Sequence, residues 1–214
     1  METINKSLVT NYLNALLDGE RKEASRICLD FIKTGNSFKE LYEHIMKPAL
    51  YEVGKLWEQN KISVASEHLA TAITEGIMNL FYTDIIPDKY NGKKVVLACV
   101  EQEEHQVGVK MVADVFEMNQ WESFFLGTGF PTSELIKFIN EVQPDIIAIS
   151  LSVYFNFTRL KQMLKQLKNE FPQTKIIVGG QALSHLSDND FAEWNDVTYI
   201  TDLNQLETFI KNLK

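Results

Sequence analysis

The chain has 214 residues, enough to bury a real core in one large domain or two small ones, and its 45% hydrophobic and 23% charged content is that of a globular protein. A net charge of −8 and an isoelectric point near 5.1 argue against direct binding to nucleic acid or to an anionic membrane. Cys28 and Cys99 have no Cys-x-x-Cys spacing, the amino terminus has no signal-peptide pattern, and no apolar run has the length of a membrane span, so a cytoplasmic, reducing setting is expected.

Residues 1–87 carry helical periodicity. Ile4, Leu8, Tyr12 and Leu16 form one apolar stripe, and Ala24, Ile27, Cys28 and Phe31 a second. A third runs through Phe38, Leu41 and Ile45 to Leu50, Val53 and Trp57, with a bend expected at Pro48. The fourth spans about 64–86, opened by Ser63 as N-cap and stopped by Pro87. Short connections at Gly19, Gly35 and Glu58–Lys61 predict an antiparallel four-helix bundle as a first domain, 1–87.

Asp88–Lys93 reads as a linker, after which the pattern alternates between strand and helix. Strands are predicted near 94–100, 121–126, 145–151, 174–178 and 197–201, and helices near 107–118, 132–142, 157–169 and 203–213. That alternation predicts a second domain over 93–214, a doubly wound five-stranded parallel sheet of flavodoxin-like or Rossmann-like type.

The first strand runs directly into Glu103-Glu104-His105-Gln106-Val107-Gly108. Open α/β sheets bind ligands beyond the carboxyl ends of their strands, and this loop sits at such an end. Imidazole ligates a metal when neutral, and a carboxylate on its other ring nitrogen fixes the tautomer, so His105 with Glu103 in reach suits a metal ligand. Gly108 at the helix start would let a bulky ligand approach the backbone. Against this stands the plain reading of a solvated acidic loop with a stray histidine, of about equal weight. Ser150 and Ser152 end the third predicted strand, and Gly179 and Gly180 the fourth; small residues there open a slot, although turn chemistry explains either pair alone.

In the first domain, Trp57 ends the third stripe, where core packing would account for it. Glu67 and His68 lie in the first turn of the fourth helix, where the dipole favours the acid and the histidine suits a core position. The chain has no Gly-x-Ser-x-Gly elbow and no Walker loop, and Gly127-Thr128-Gly129 does not complete a dinucleotide fingerprint. His185 with Asp188 and Asp190 reads as a polar loop, and His44 beside Glu43 as helix surface.

Taken together, these segments resemble the cobalamin-binding proteins that join a helical cap domain to a flavodoxin-like corrinoid domain, and the likeness covers nearly the whole chain. The resemblance implies that His105 is the lower cobalt ligand, with Glu103 as its hydrogen-bonding partner and Gly108 closing the motif. It also implies that Ser150, Ser152, Gly179 and Gly180 line the slot for the displaced dimethylbenzimidazole tail. Methyl-carrying corrinoid proteins show Gly-Asp-x-His-Asp-Ile-Gly-Lys, from which Gln102–Val109 departs at the acid and at the flanks. Trp57, followed by Glu67 and His68, is similar to the cap of light-sensing, adenosylcobalamin-dependent regulators of the CarH type, where the tryptophan covers the adenosyl face. Those proteins can place a cobalt-capturing histidine directly after the tryptophan; Glu58 stands there in this chain, which leaves capture of the photoproduct open.

The resemblance therefore implies a non-enzymatic cobalamin-binding light sensor using adenosylcobalamin. Because the sequence starts directly at the bundle and is acidic, such a sensor would act through an unidentified output protein and not on nucleic acid itself. Homo-oligomers are expected by the same resemblance. Two alternatives stay open: a corrinoid methyl carrier using methylcobalamin for a methyltransferase, and a module that binds cobalamin or haem without responding to light.

Overall fold

In the computed structural model, which describes residues 2–185, 190 and 194–213, the chain parts at Ile85 and Ile86 into a helical unit and an α/β unit. The helical unit comprises α1 (Glu2–Leu17), α2 (Arg21–Lys33), α3 (Phe38–Leu41), α4 (Lys47–Glu58), α5 (Val64–Leu80) and α6 (Tyr82–Ile85). Its predicted stripes face inward: Tyr12, Leu16, Ala24, Cys28, Leu41 and Ile45 are all fully buried. The third stripe is one run of helical backbone in which α3 passes into α4 through a π turn at Tyr42–Met46. The distortion expected at Pro48 thus lies just before it, and the proline occupies the first positions of α4, where its missing N–H costs nothing.

Ser63 caps α5 as predicted, its hydroxyl accepting the Ser66 N–H at 3.1 Å. A second cap escaped the sequence reading: Ser37 and Glu40 form a reciprocal capping box at α3. Helix α5 stops at Leu80, six residues before the predicted end, and α6 follows as a separate turn. Inside the unit the Tyr12 hydroxyl lies 3.0 Å from Thr74 Oγ1, a buried polar link between α1 and α5.

The α/β unit contains β1 (Lys94–Cys99), α7 (Val107–Met118), β2 (Glu122–Gly127), α8 (Thr132–Val142), β3 (Ile146–Ser150), α9 (Phe157–Glu170), β4 (Lys175–Gly179), β5 (Val197–Tyr199) and α10 (Leu203–Asn212). The five strands pair in parallel in the order β2-β1-β3-β4-β5. This is the flavodoxin-like order, whose switch point lies between β1 and β3. The central strands β1 and β3 are buried on both faces, so they read as continuous apolar runs. Val96, Ala98, Ile147 and Ile149 pack with Leu135 and Ile139 of α8 and Leu160 and Leu164 of α9 in one core layer. Helices α7 and α10 pack together, and α7 touches β1, β2 and β3. Among the described residues no helix is long and apolar enough to cross a membrane.

Candidate functional site

The switch point delivers the loop after β1 and the loop after β3 to the same crevice, and one side chain joins them. Glu103 is 2% exposed. Its Oε1 accepts from His105 Nδ1 at 2.6 Å and from the backbone N–H groups of Glu104 and His105 at 3.1 and 3.2 Å. Its Oε2 accepts from the N–H groups of Ser152 and Val153 at 3.1 and 3.0 Å and from Asn156 Nδ2 at 3.4 Å. Burial pushes the Glu103 carboxyl up, but the His105 ring and the Val153 and His105 amides outweigh it and hold the group below the usual carboxylate range. An ionised carboxylate can only accept, so the proton of the neutral imidazole sits on Nδ1 and Nε2 carries the lone pair.

The His105 side chain is 43% exposed while that of Glu103 is 1% exposed: a buried anchor with a half-open ring on it. This is the arrangement that fixes a histidine ligand. Among the described residues no group of three or more His, Cys, Asp or Glu side chains is placed to hold a metal ion. Cys99 is buried at the end of β1. Burial, then the charge of Glu103, pushes its thiol up to about 12, and Sγ lies 3.5 Å from the His105 carbonyl.

The other strand-end residues divide by role. Ser152 belongs to the crevice, with its N–H on Glu103 and its hydroxyl 3.5 Å from the His105 carbonyl, whereas Ser150 is buried as the last residue of β3. The glycine pair has an internal reason. Gly180 sits at φ +112, and a Cβ there would lie 2.1 Å from the Leu151 carbonyl oxygen; a Cβ at Gly179 would meet the Ile200 carbonyl at 3.3 Å. Close approach of the chain itself therefore demands the glycine at 180. Gly108 is different: it is exposed in the first turn of α7, and a Cβ there would meet nothing within 4 Å. No contact of the chain requires a glycine at 108, which leaves room for a ligand against the backbone. Half-open His105 and uncrowded Gly108 fit a corrinoid that needs one axial nitrogen and close access.

Asn156 of the short 3₁₀ turn Tyr154–Asn156, Glu101 and Thr132 also belong to this region, and the sequence reading missed all three. No local pattern marks them; each is tied to the loop by a hydrogen bond spanning 31 or more residues.

In the helical unit Trp57 is 40% exposed near the end of α4, so core packing does not account for it. Met46 and Val53 of the same stripe are buried. Glu67 is buried, accepting from Thr71 Oγ1 at 3.0 Å and lying 2.5 Å from His68 Nδ1, while the His68 side chain is 67% exposed and is not a core histidine. His44 is exposed, as expected for a surface residue. His185 closes a 3₁₀ turn, and Asp188, with which it was grouped, lies outside the described residues.

Comparison with known proteins gives this geometry a family. Residues 93–197 match a B12 binding domain, and residues 8–82 match a second B12 binding domain model. The HTH-type transcriptional repressor CarH of Myxococcus xanthus is 25% identical over 143 residues, which are 66% of this chain and 47% of the repressor. The dimethylamine corrinoid protein of Methanosarcina barkeri is 27% identical over 147 residues, 66% of this chain and 68% of that protein. Among solved structures, the monomethylamine corrinoid protein of Methanosarcina barkeri superposes with a TM-score of 0.82, covering 98% of this chain and 100% of its own at 13% identity, a likeness of fold. Two B12 binding domains in series, the second on a flavodoxin-like sheet, place the chain in the cobalamin-binding family, with cobalamin as its cofactor.

Proposed function

We propose that this chain is a cobalamin-dependent sensory protein, an adenosylcobalamin light sensor that acts through a separate output protein. The observation that carries this reading is Trp57, a large indole left 40% exposed near the end of a helix whose Ala49 and Val53 are buried. An exposed ring costs apolar surface in water and is suited to cover an apolar ligand. The likeness to the repressor CarH supports the same reading, although the match spans 47% of that protein.

When bound, cobalamin supplies a cobalt–carbon bond that visible light can break. The chain's residues do the rest. His105 would hold the cobalt through Nε2, while Glu103 keeps the proton on Nδ1 and the ring in place. Ser152 and Val153 lend their N–H groups to the same carboxylate, so the crevice is preorganised on both sides of the switch point. Trp57, Glu67 and His68 are proposed as the helical unit's contribution. A signal then arises if loss of the upper group changes which arrangement the protein prefers, a shift of population.

A methyl-carrier reading has equal support from a different observation: the fold match to the monomethylamine corrinoid protein runs over the full length of both chains. One experiment separates the two. Apoprotein is loaded with adenosylcobalamin and with methylcobalamin, and spectra and assembly state are followed in the dark and under green light. The sensor reading expects the adenosyl form to change assembly or shape on illumination. Tight binding with no such change, together with methyl transfer once a methyltransferase is added, would replace it by the carrier reading. His105→Ala should weaken binding in either case.

A further inference from the structure

The loop that presents His105 is held from the β3 side by Glu103, but it is also held from the opposite side of β1. Glu101, two residues earlier, sends its Oε2 to Thr132 at the start of α8, accepting the Thr132 N–H at 3.1 Å and its hydroxyl at 2.9 Å. Thr132 is 4% exposed. Between the two carboxylates Gln102 is driven into left-handed backbone at φ +66, a conformation that a residue with a Cβ adopts at a cost. A second contact joins the same two segments. Gly127 at the end of β2 has φ +70, and a Cβ there would lie 2.5 Å from Gln106 Oε1. The glycine reaches that position through a register shift in which Leu97 pairs with Phe125 and Ala98 with Gly127. Bulges of this kind re-aim residues beside functional sites.

From these contacts we infer that Glu101 and Thr132 are positioning residues for His105: the connection from β2 to α8 forms the second wall that fixes the ligand loop, and Gln102 stores the strain between the walls. The inference rests on His105 being the axial ligand. Alternating residues of one short loop, 101 and 103, then lock it to the connection on either side. Released on the α8 side, the Gln102 backbone relaxes toward ordinary dihedrals and takes the His105 ring out of register with the cofactor.

The test uses protein labelled with ¹⁵N and unlabelled cobalamin reduced to its paramagnetic cobalt(II) form, so that the hyperfine pattern reports whether the axial nitrogen belongs to the protein or to the cofactor. Wild type should show the ¹⁵N pattern and His105→Ala should lose it; a ¹⁴N pattern in wild type would overturn the ligand assignment itself. Given that pattern, Glu101→Ala and the near-isosteric Thr132→Val should each shift part of the population away from protein ligation and weaken cobalamin binding, by about tenfold for Glu101→Ala. Thr132→Ser, which keeps both donors, should restore wild-type behaviour. Amide exchange at 102–106 in the apoprotein should quicken in Glu101→Ala and in Thr132→Val, a readout independent of the cofactor. If Thr132→Val and Glu101→Ala keep wild-type ligation, affinity and exchange, the positioning role is wrong while the ligand assignment stands.

Discussion

Among the described residues each unit has a glutamate hydrogen-bonded to a nearby histidine, and the two pairs differ in everything except their bond. Glu67 lies 2.5 Å from His68 Nδ1 and Glu103 lies 2.6 Å from His105 Nδ1. The first pair is made by adjacent residues on the face of α5, with Thr71 donating to the acid as well and a side chain on His68 that is 67% exposed. The second is made across a loop, with an acid that collects donors from both sides of the sheet's switch point. A histidine is made into a fixed ligand less by its carboxylate than by what holds that carboxylate. The helical pair can swing with its side chains; the loop pair can move only if four backbone amides lose their acceptor.

The sharpest way to break this contrast is to remove the acids. Glu103→Ala strands the part-buried N–H groups of His105, Ser152 and Val153, and should destabilise the α/β unit by about 3 kcal/mol. Glu67→Ala breaks two side-chain bonds at the edge of a helix, one of them to an exposed ring, and should cost about 1 kcal/mol. Urea unfolding of both variants measures the difference. Equal costs would mean that the donors on Glu103 are replaceable by water, and the distinction between the pairs would fall.

Acid should reproduce a weaker form of the first effect. The folded-state pKa of Glu103 lies below the usual carboxylate value, so near that value the native protein holds fewer protons than the unfolded chain. Its stabilisation is complete above the unfolded pKa and is lost as pH falls through the folded one. The loss is smaller than deletion, because a protonated acid still accepts through its carbonyl oxygen. Glu117 of α7 runs the other way: burial, helped by Asp114 and Glu122, holds it above the usual range against the Ser123 N–H and the Tyr90 hydroxyl. There the native state binds the extra proton, and the stability it brings at low pH fades as pH rises through the raised value. Unfolding measured across pH should therefore lose part of its acid sensitivity in Glu103→Gln and gain stability near neutrality in Glu117→Gln; unchanged profiles would refute both directions.

How much of this was legible in the sequence follows the range of the forces involved. Strands β1 to β5 and helices α7 to α10 announced themselves because a doubly covered parallel sheet needs continuous apolar runs separated by amphipathic helices. The Glu103–His105 pair was legible because its two members are two residues apart and follow a strand. The hold on that pair was not, since Asn156, Val153 and Thr132 reach it from other connections. Gly180 shows the opposite case: it was weighed as slot or turn, and the structure adds a reason that neither reading contained, the collision a Cβ there would have with Leu151. Trp57 shows a third, because a stripe's period says which side of a helix a residue occupies and not how deeply its neighbours cover it.

In the helical unit the caps offer a smaller effect that still bears on the comparison. Ser63→Ala removes the acceptor for the Ser66 N–H at the start of α5 and should cost about 1 kcal/mol. Helix α5 carries Glu67 and His68 in its first turns, so fraying at Ser63 should also loosen that pair, which amide exchange at 64–68 would detect. Protection unchanged there would show that packing, not the cap, holds the turn.

The smallest effect expected is the most informative about function. His68→Ala deletes a ring whose side chain is 67% exposed and which bonds its neighbour Glu67, and it should change stability by less than about 0.5 kcal/mol. If the helical pair is only a surface contact, cobalamin affinity and the light response will be as small in their change. If Glu67 and His68 are part of the helical unit's contribution to the cofactor, affinity or the spectrum of the bound form will move while the unfolding curve does not. A shift in binding without a shift in folding is the signature that surface packing cannot produce, and measuring both on His68→Ala decides whether the second glutamate–histidine pair belongs to the site.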